Sequence, residues 1–298
     1  MVEMAPVASS EGVTISCPVD GMFSFYNSPY PAHRQSSGVD VYPDTGFGGM
    51  APSPVSGEVT LIRRVRSPRG RNYNASEYDV VTLLRSRESP DKVVKLLHVD
   101  PTLSVGDEVR AGGELGRLLR SGYYGFATSP HVHVEVREPS DPLRARGGHR
   151  MERLIDVGRV EPLEELRGVV NLCSPEFSIV RLETPTYGLP TKVGGVPGVI
   201  DGGIPYYGWM GVHFDSGKPE GGAVELMGHP IATIGAIHDR VCLADCTDFS
   251  VKVEGEPILG LSLRLSPRRG AEVKLVPMRL GGLALEEGSE VSVQVESV

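Results

Sequence analysis

The chain alternates apolar and polar residues in short runs, and almost nowhere at the spacing of an amphipathic helix. Val132, Val134 and Val136, then Phe249, Val251 and Val253, then Val291, Val293 and Val295 take every second position between polar or charged neighbours. Residues two apart in an extended strand share a face, so each run reads as a strand with one buried side. Turn-forming residues separate the runs, drawn from 37 glycines and 24 prolines, which punctuate sheets and break helices. A helical stripe shows at 151–166, where Leu154, Ile155, Val157, Val160, Leu163 and Leu166 fall unevenly among Glu and Arg.

The pattern predicts a mainly β protein with few helices. At 298 residues the chain is long enough for two domains, each burying a core of its own. The Arg-rich stretch that contains the helical stripe marks the division. Residues 1–148 form the first expected domain, 149–170 a helical linker, and 171–298 a second, β-rich and sandwich-like domain. Within the second, 184–190 and 194–205 are so dense in Gly and Pro that they predict loops or tight turns. Trp209 with Tyr206 and Tyr207 supplies an aromatic group for core packing or a pocket wall.

Candidate chemistry concentrates in Ser129-Pro-His131-Val-His133-Val-Glu135-Val-Arg137. On a strand, His131 and His133 point into one space while Val132 and Val134 pack on the other side. Glu135 lies on the histidine face, either as an acceptor for an imidazole N–H or as a solvated carboxylate. Three upstream segments add to this run. They are Ala32-His33-Arg-Gln-Ser-Ser-Gly38-Val-Asp40, the Pro-rich Ala51-Pro-Ser-Pro-Val-Ser-Gly57, and Leu96-Leu-His98 followed by a ladder of glycines at Gly106, Gly112 and Gly116.

Taken together, these segments resemble the lysostaphin and LytM type of zinc metallopeptidase over roughly residues 20–145. The resemblance implies a LytM-like hybrid-barrel fold for the first domain. It further implies Zn²⁺ held by His33, Asp40 and His133, with His98 and His131 as the catalytic pair. The common family spacing, H-x-G-x-D, would put the first histidine at Ser36, whereas the nearby one here is His33. Val132-His133-Val134-Glu135 also replaces the usual Leu-His-Phe-Glu. Two imidazoles and one carboxylate would leave a net positive centre with room for water, which suits metal-assisted amide hydrolysis. The expected partner is a peptide or another small amide-containing substrate.

Two other readings stand beside hydrolysis. One is a noncatalytic module that keeps the fold, with or without metal, to bind a partner or serve as a scaffold. The other, weaker, is a lipoyl or biotinyl carrier, because the glycine ladder and Glu88-Ser-Pro-Asp91-Lys92 loosely match the modified-lysine turn of those domains. Lys92 is too close to Gly106 for that arrangement, and a carrier leaves the histidines unexplained.

Charge and cysteines narrow the picture. A formal net charge of −8 disfavours a phosphate-backbone partner, so no nucleic acid is expected. Arg63-Arg64-Val-Arg66-Ser-Pro-Arg69-Gly-Arg71 runs against that trend. It reads first as a solvent-exposed hairpin and second as a contact for single-stranded nucleic acid or an acidic substrate. Cys17, Cys173, Cys242 and Cys246 are scattered and read as reduced thiols, and His238 with Cys242 is a weak further ligand pair. His149, His213 and His229 read as surface or hydrogen-bonded core residues. No secretory or membrane-spanning segment is recognisable, which makes the cytoplasm the expected location; oligomerisation is left open.

Overall fold

The alternating runs become strands. In the computed structural model, which describes residues 1–158, 160–268 and 270–297, helix is confined to the single turn Pro31–Arg34 among the described residues. The chain divides into two units. One comprises Met1–Phe23 with Tyr30–Ile155, the other Ser24–Pro29 with Asp156–Val298.

The first unit is built on a seven-stranded sheet. Its order is Glu108–Val109, Gly57–Arg66, Tyr78–Ser86, Val93–Leu97, Val132–Arg137, Val39–Tyr42 and Met22–Ser24. The histidine strand Val132–Arg137 lies inside this sheet. It is flanked on one side by Val39–Tyr42, with His133 opposite Asp40, and on the other by Val93–Leu97, with Glu135 opposite Lys95. Val132, Val134 and Val136 are fully buried, so apolar packing on their face fixes the register and commits the histidines to the other. The glycine ladder does what its residues suggest: Gly106 at φ +96° and Gly112 at φ +80° take the left-handed turns that a side chain would oppose.

The expected helix at 151–166 does not form. Glu152–Arg153 is instead a short strand paired with Ser9 and Ala8, and Leu166 begins the strand Leu166–Cys173. The physical cause lies in the stretch itself. Gly158 takes φ +68°, and Pro162 can neither donate a helical hydrogen bond nor admit the preceding turn.

The second unit is one 13-stranded sheet. An additional pairing between Leu189–Val193 and Val196–Ile204 closes six of its strands into a barrel, and the rest continue as a curled sheet. Phe249–Val253 and Glu290–Ser297 pair as their alternation predicts. The loop expected at 184–190 forms as far as residue 188, before the strand Leu189–Val193 begins, whereas 194–205 is in large part the strand Val196–Ile204. Val193 pairs with Val196 across Gly194 and Gly195, both at positive φ, so the glycines form one hairpin turn while the β-branched residues around them join the ladder. Trp209 is buried in this unit, its ring edge-on to Tyr26 at 6.0 Å. His213, also buried, lies 3.3 Å from the Asp201 carboxylate. His149 in the first unit pairs with Glu138 at 2.8 Å.

Candidate metal centre

Three sequence-distant side chains meet on the polar face of the histidine strand. His33 arrives from the turn Pro31–Arg34, Asp40 from Val39–Tyr42, and His133 from Val132–Arg137. His33 Nε2 stands 3.3 Å from Asp40 Oδ1 and 3.2 Å from His133 Nδ1, and His133 Nδ1 is 2.8 Å from Asp40 Oδ1. All three residues are at least 95% buried. A tetrahedral ion bound at about 2.0–2.1 Å holds its ligand atoms about 3.3 Å apart, so this triangle has the size of one face of such a site. It is the group of potential ligands that the described residues bring together; His238 and Cys242 form no such group.

Gly38 explains how the ring of His133 fits. A Cβ at that position would lie 2.7 Å from His133 Cε1 and 3.2 Å from the Ala32 methyl. Ser36, where the common spacing expects a histidine, is buried and takes φ +55°. Its carbonyl accepts from Met151 N at 2.7 Å. The helical turn before it carries His33 into the centre instead.

Neighbouring carboxylates and carbonyls set the ring tautomers. His133 Nε2 faces Glu135 Oε1 at 3.2 Å. An ionised carboxylate only accepts, so that nitrogen carries a proton; Nδ1, 2.8 Å from the ionised Asp40 Oδ1, carries one too in the metal-free site, and a bound ion would displace it and take that lone pair. Glu135 is buried rather than solvated. It also takes Lys95 Nζ at 2.7 Å and an Arg137 guanidinium nitrogen at 2.8 Å. Burial would raise its pKa, but His133 and Lys95 bring it down to about 2. Burial likewise opposes charge on His133, yet Asp40 and Glu135 prevail and raise its pKa to about 9. Asp40 is desolvated too, and the rings of His131 and His33 hold its carboxyl well below the usual range. The metal-free site is thus a trap for positive charge: it keeps a proton that a divalent ion would displace.

The expected catalytic pair adjoins this centre. His131 Nδ1 faces the Ser129 carbonyl at 2.9 Å, so Nε2 is left as the acceptor, 3.6 Å from Asp40 Oδ2. Burial pushes the His131 pKa down to about 4, which keeps the ring neutral. His98 stands edge-on to His131, ring centroids 5.2 Å apart. Its Nδ1 is 2.6 Å from Asp79 Oδ2, and its backbone N–H donates to Asp79 Oδ1 at 3.1 Å. His98 holds φ +71°, a conformation that costs a non-glycine residue and is retained where the surroundings enforce it.

Asp79 and Tyr124 join the site without having been expected from sequence. Asp79 left one clue, a lone acid in the otherwise apolar start of Tyr78–Ser86. Tyr124 left none. Its buried ring lies 4.8 Å from His98 and 4.9 Å from His131, and its hydroxyl has no hydrogen-bond partner among the described residues. Burial and the charges of Asp79 and Asp40 keep it well above the usual phenol range, hence a neutral donor. Lys92, by contrast, is held by Asp91 and Glu138, unlike the free lysine that a carrier would present.

None of the curated proteins matches the chain. Among solved structures, it is similar to a variant of the catalytic domain of the prophage-encoded M23 protein EnpA from Enterococcus faecalis. Identity there is 20%, covering 44% of this chain and 87% of that one, with a TM-score of 0.29. It is also similar to the antimicrobial peptidase lysostaphin from Staphylococcus simulans, at 16% identity over 76% of this chain and 94% of that one, TM-score 0.29. Residues 16–153 match a family model described as the N-terminal domain of a domain of unknown function, DUF8155, and residues 168–296 match its C-terminal domain. The chain thus carries, in order, both domains of the DUF8155 family.

Proposed function

We propose that the N-terminal domain is a zinc-dependent hydrolase of amide or peptide bonds. His33, Asp40 and His133 would hold the ion, with His131 and His98 as proton-transfer groups. The observation that carries this reading is the buried triangle of His33 Nε2, Asp40 Oδ1 and His133 Nδ1, with edges of 2.8–3.3 Å. Bound there, zinc would supply Lewis-acid polarisation of a carbonyl and lower the pKa of water towards about 7.

The chain's own groups would do the rest. His131, with Nδ1–H tied to Ser129, offers Nε2 as the base that takes a proton from attacking water. His98 delivers a proton to the leaving amine from Nε2, while the Asp79 carboxylate at Nδ1 fixes its orientation and supports positive charge on the ring. The unpartnered Tyr124 hydroxyl is available to donate to an oxyanion formed from the substrate carbonyl. His33 lies with Asp40 and His133 despite its unusual spacing, which supports the metal-dependent part of this reading.

The test is incubation of zinc-loaded protein with a mixed peptide pool, read by mass spectrometry. Cleavage should disappear with a chelator. It should also disappear in His131→Ala and His98→Ala variants that retain zinc. Cleavage indifferent to chelation would overturn the proposal, and full zinc occupancy without any cleavage would favour the noncatalytic scaffold.

A further inference from the structure

We propose that the arginine-rich hairpin of the N-terminal unit docks the acidic segment of a peptide substrate. This rests on the amide-hydrolase reading of the adjoining site. Gly57–Arg66 and Tyr78–Ser86 pair antiparallel with Arg66 opposite Tyr78, so residues 67–77 form the tip. Arg63, Arg64, Arg66, Arg69 and Arg71 are all exposed, and no acidic residue occurs between Glu58 and Glu77. Arg64 stacks over Tyr78 at 4.6 Å and lies 3.5 Å from Asp100. Among the described residues, Arg63, Arg66, Arg69 and Arg71 have no ion-pair partner. In a chain of net charge −8, four uncompensated arginines on one hairpin form a local positive field that repels itself and attracts carboxylates.

The placement ties this field to the candidate metal centre. Asp79, which holds His98, lies on the strand face opposite Tyr78 and Arg66, so the link to the centre runs through the hairpin tip. The tip packs on the loop that carries Tyr124. Gly122 N donates to Ser67 Oγ at 2.7 Å, and the Tyr73 hydroxyl donates towards the carbonyls of Ser121 and Tyr124 at 3.0 and 2.7 Å. Tyr124 in turn touches His98 and His131. An extended peptide advances about 3.3 Å per residue, so a substrate with acidic residues a few positions from its scissile bond can reach both hairpin and site.

A peptide fits better than nucleic acid. The nearby rings are already engaged. Arg120 covers Tyr73 at 4.4 Å, and Tyr30 packs edge-on to Tyr123 at 6.4 Å, which leaves little free face for base stacking.

The test uses the full-length protein and a decaglutamate peptide carrying a neutral dye, read by fluorescence anisotropy. Binding should weaken at least tenfold in the combined variant Arg66→Glu, Arg69→Glu, Arg71→Glu, and weaken with added salt, while zinc content stays that of the wild type. Equal binding by the variant, no binding by the wild type, or tighter arginine-dependent binding of single-stranded oligothymidine would each overturn the proposal. Cleavage of matched peptides with acidic or Gly-Ser flanks separates the two readings. Arginine-dependent preference for the acidic flank supports docking; equal cleavage of both refutes docking and leaves hydrolysis standing. Glutamate-dependent binding without any cleavage refutes the hydrolase while the acidic contact stands.

Discussion

Replacing Glu135 by glutamine tests how the centre is held. This carboxylate, 2% exposed, is the common acceptor for Lys95, Arg137 and His133, which are 4%, 0% and 5% exposed. Its contacts to them are 2.7, 2.8 and 3.2 Å. Glutamine keeps the shape but removes the charge, leaving two buried cations against a neutral amide. Breaking one side of a buried ionic group costs about 3–5 kcal/mol, a large part of the roughly 5–15 kcal/mol that stabilises a domain. For a unit of this size each kcal/mol moves Tm by about 2–4 °C, so Glu135→Gln should lower the first unit's melting temperature by about 6–20 °C. It also frees the His133 ring from its fixed tautomer, which should weaken metal affinity by about 10–100-fold. In metal-free protein the gap from wild type has a pH signature. The Glu135 pKa is lowered from 4.5 to about 2. The stability gained from its ionisation is therefore complete above pH 4.5 and lost as pH falls towards 2, and the two proteins should converge in acid. Calorimetric melts from pH 3 to 8 and a competitive zinc titration measure both effects. Equal melting temperatures and equal zinc affinities at pH 7 would refute the reasoning.

Other perturbations reach separate parts of the account. Gly38→Ala puts a methyl 2.7 Å from His133 Cε1; it should weaken zinc binding while far-ultraviolet circular dichroism stays β-like. Asp79→Asn removes the charge that orients His98; turnover should fall about 10²–10⁴-fold with KM and zinc content unchanged, as steady-state kinetics and elemental analysis would show. In the second unit, burial holds Lys274 well below the usual lysine pKa, and Phe177 lies 4.5 Å away. Its unfolded form therefore binds more protons, so stability rises as pH climbs towards 10.5. Lys274→Met should raise Tm at pH 7 by removing a buried amine whose charge burial opposes and flatten the alkaline rise, measured by thermal melts at pH 7 to 10.

What could be read in the chain beforehand follows the range of the interactions. The H-x-H strand was legible because its face is set by neighbours two residues away, and apolar Val132, Val134 and Val136 settle which way it turns. His33 was named as a ligand only through family resemblance; its spacing alone pointed elsewhere, and the helical turn that carries it into the centre is too short to leave a periodic signal. Asp79 and Tyr124 are not legible in the sequence because their partners lie across the sheet or on another loop, joined to the site by register rather than by spacing. Glu135 is legible on the histidine face, but its burial depends on Lys95 from a neighbouring strand. The failed helix at 151–166 shows the reverse. An uneven apolar stripe outweighed Gly158 and Pro162, which interrupt it, and the strand partner at Ala8 and Ser9 lies far away in sequence. The 194–205 segment reads as loop from its glycines, but these mark one turn while Val196, Val199 and Ile200 belong to the ladder.

The central claim is that His33, Asp40 and His133 form a metal site. Its most direct test is elemental mass spectrometry of the purified protein beside His33→Ala and His133→Ala. The account predicts about one zinc per wild-type chain, lost or sharply reduced in both variants while each still folds. No zinc in the wild type after incubation with excess ion, or full zinc in His33→Ala, would contradict it.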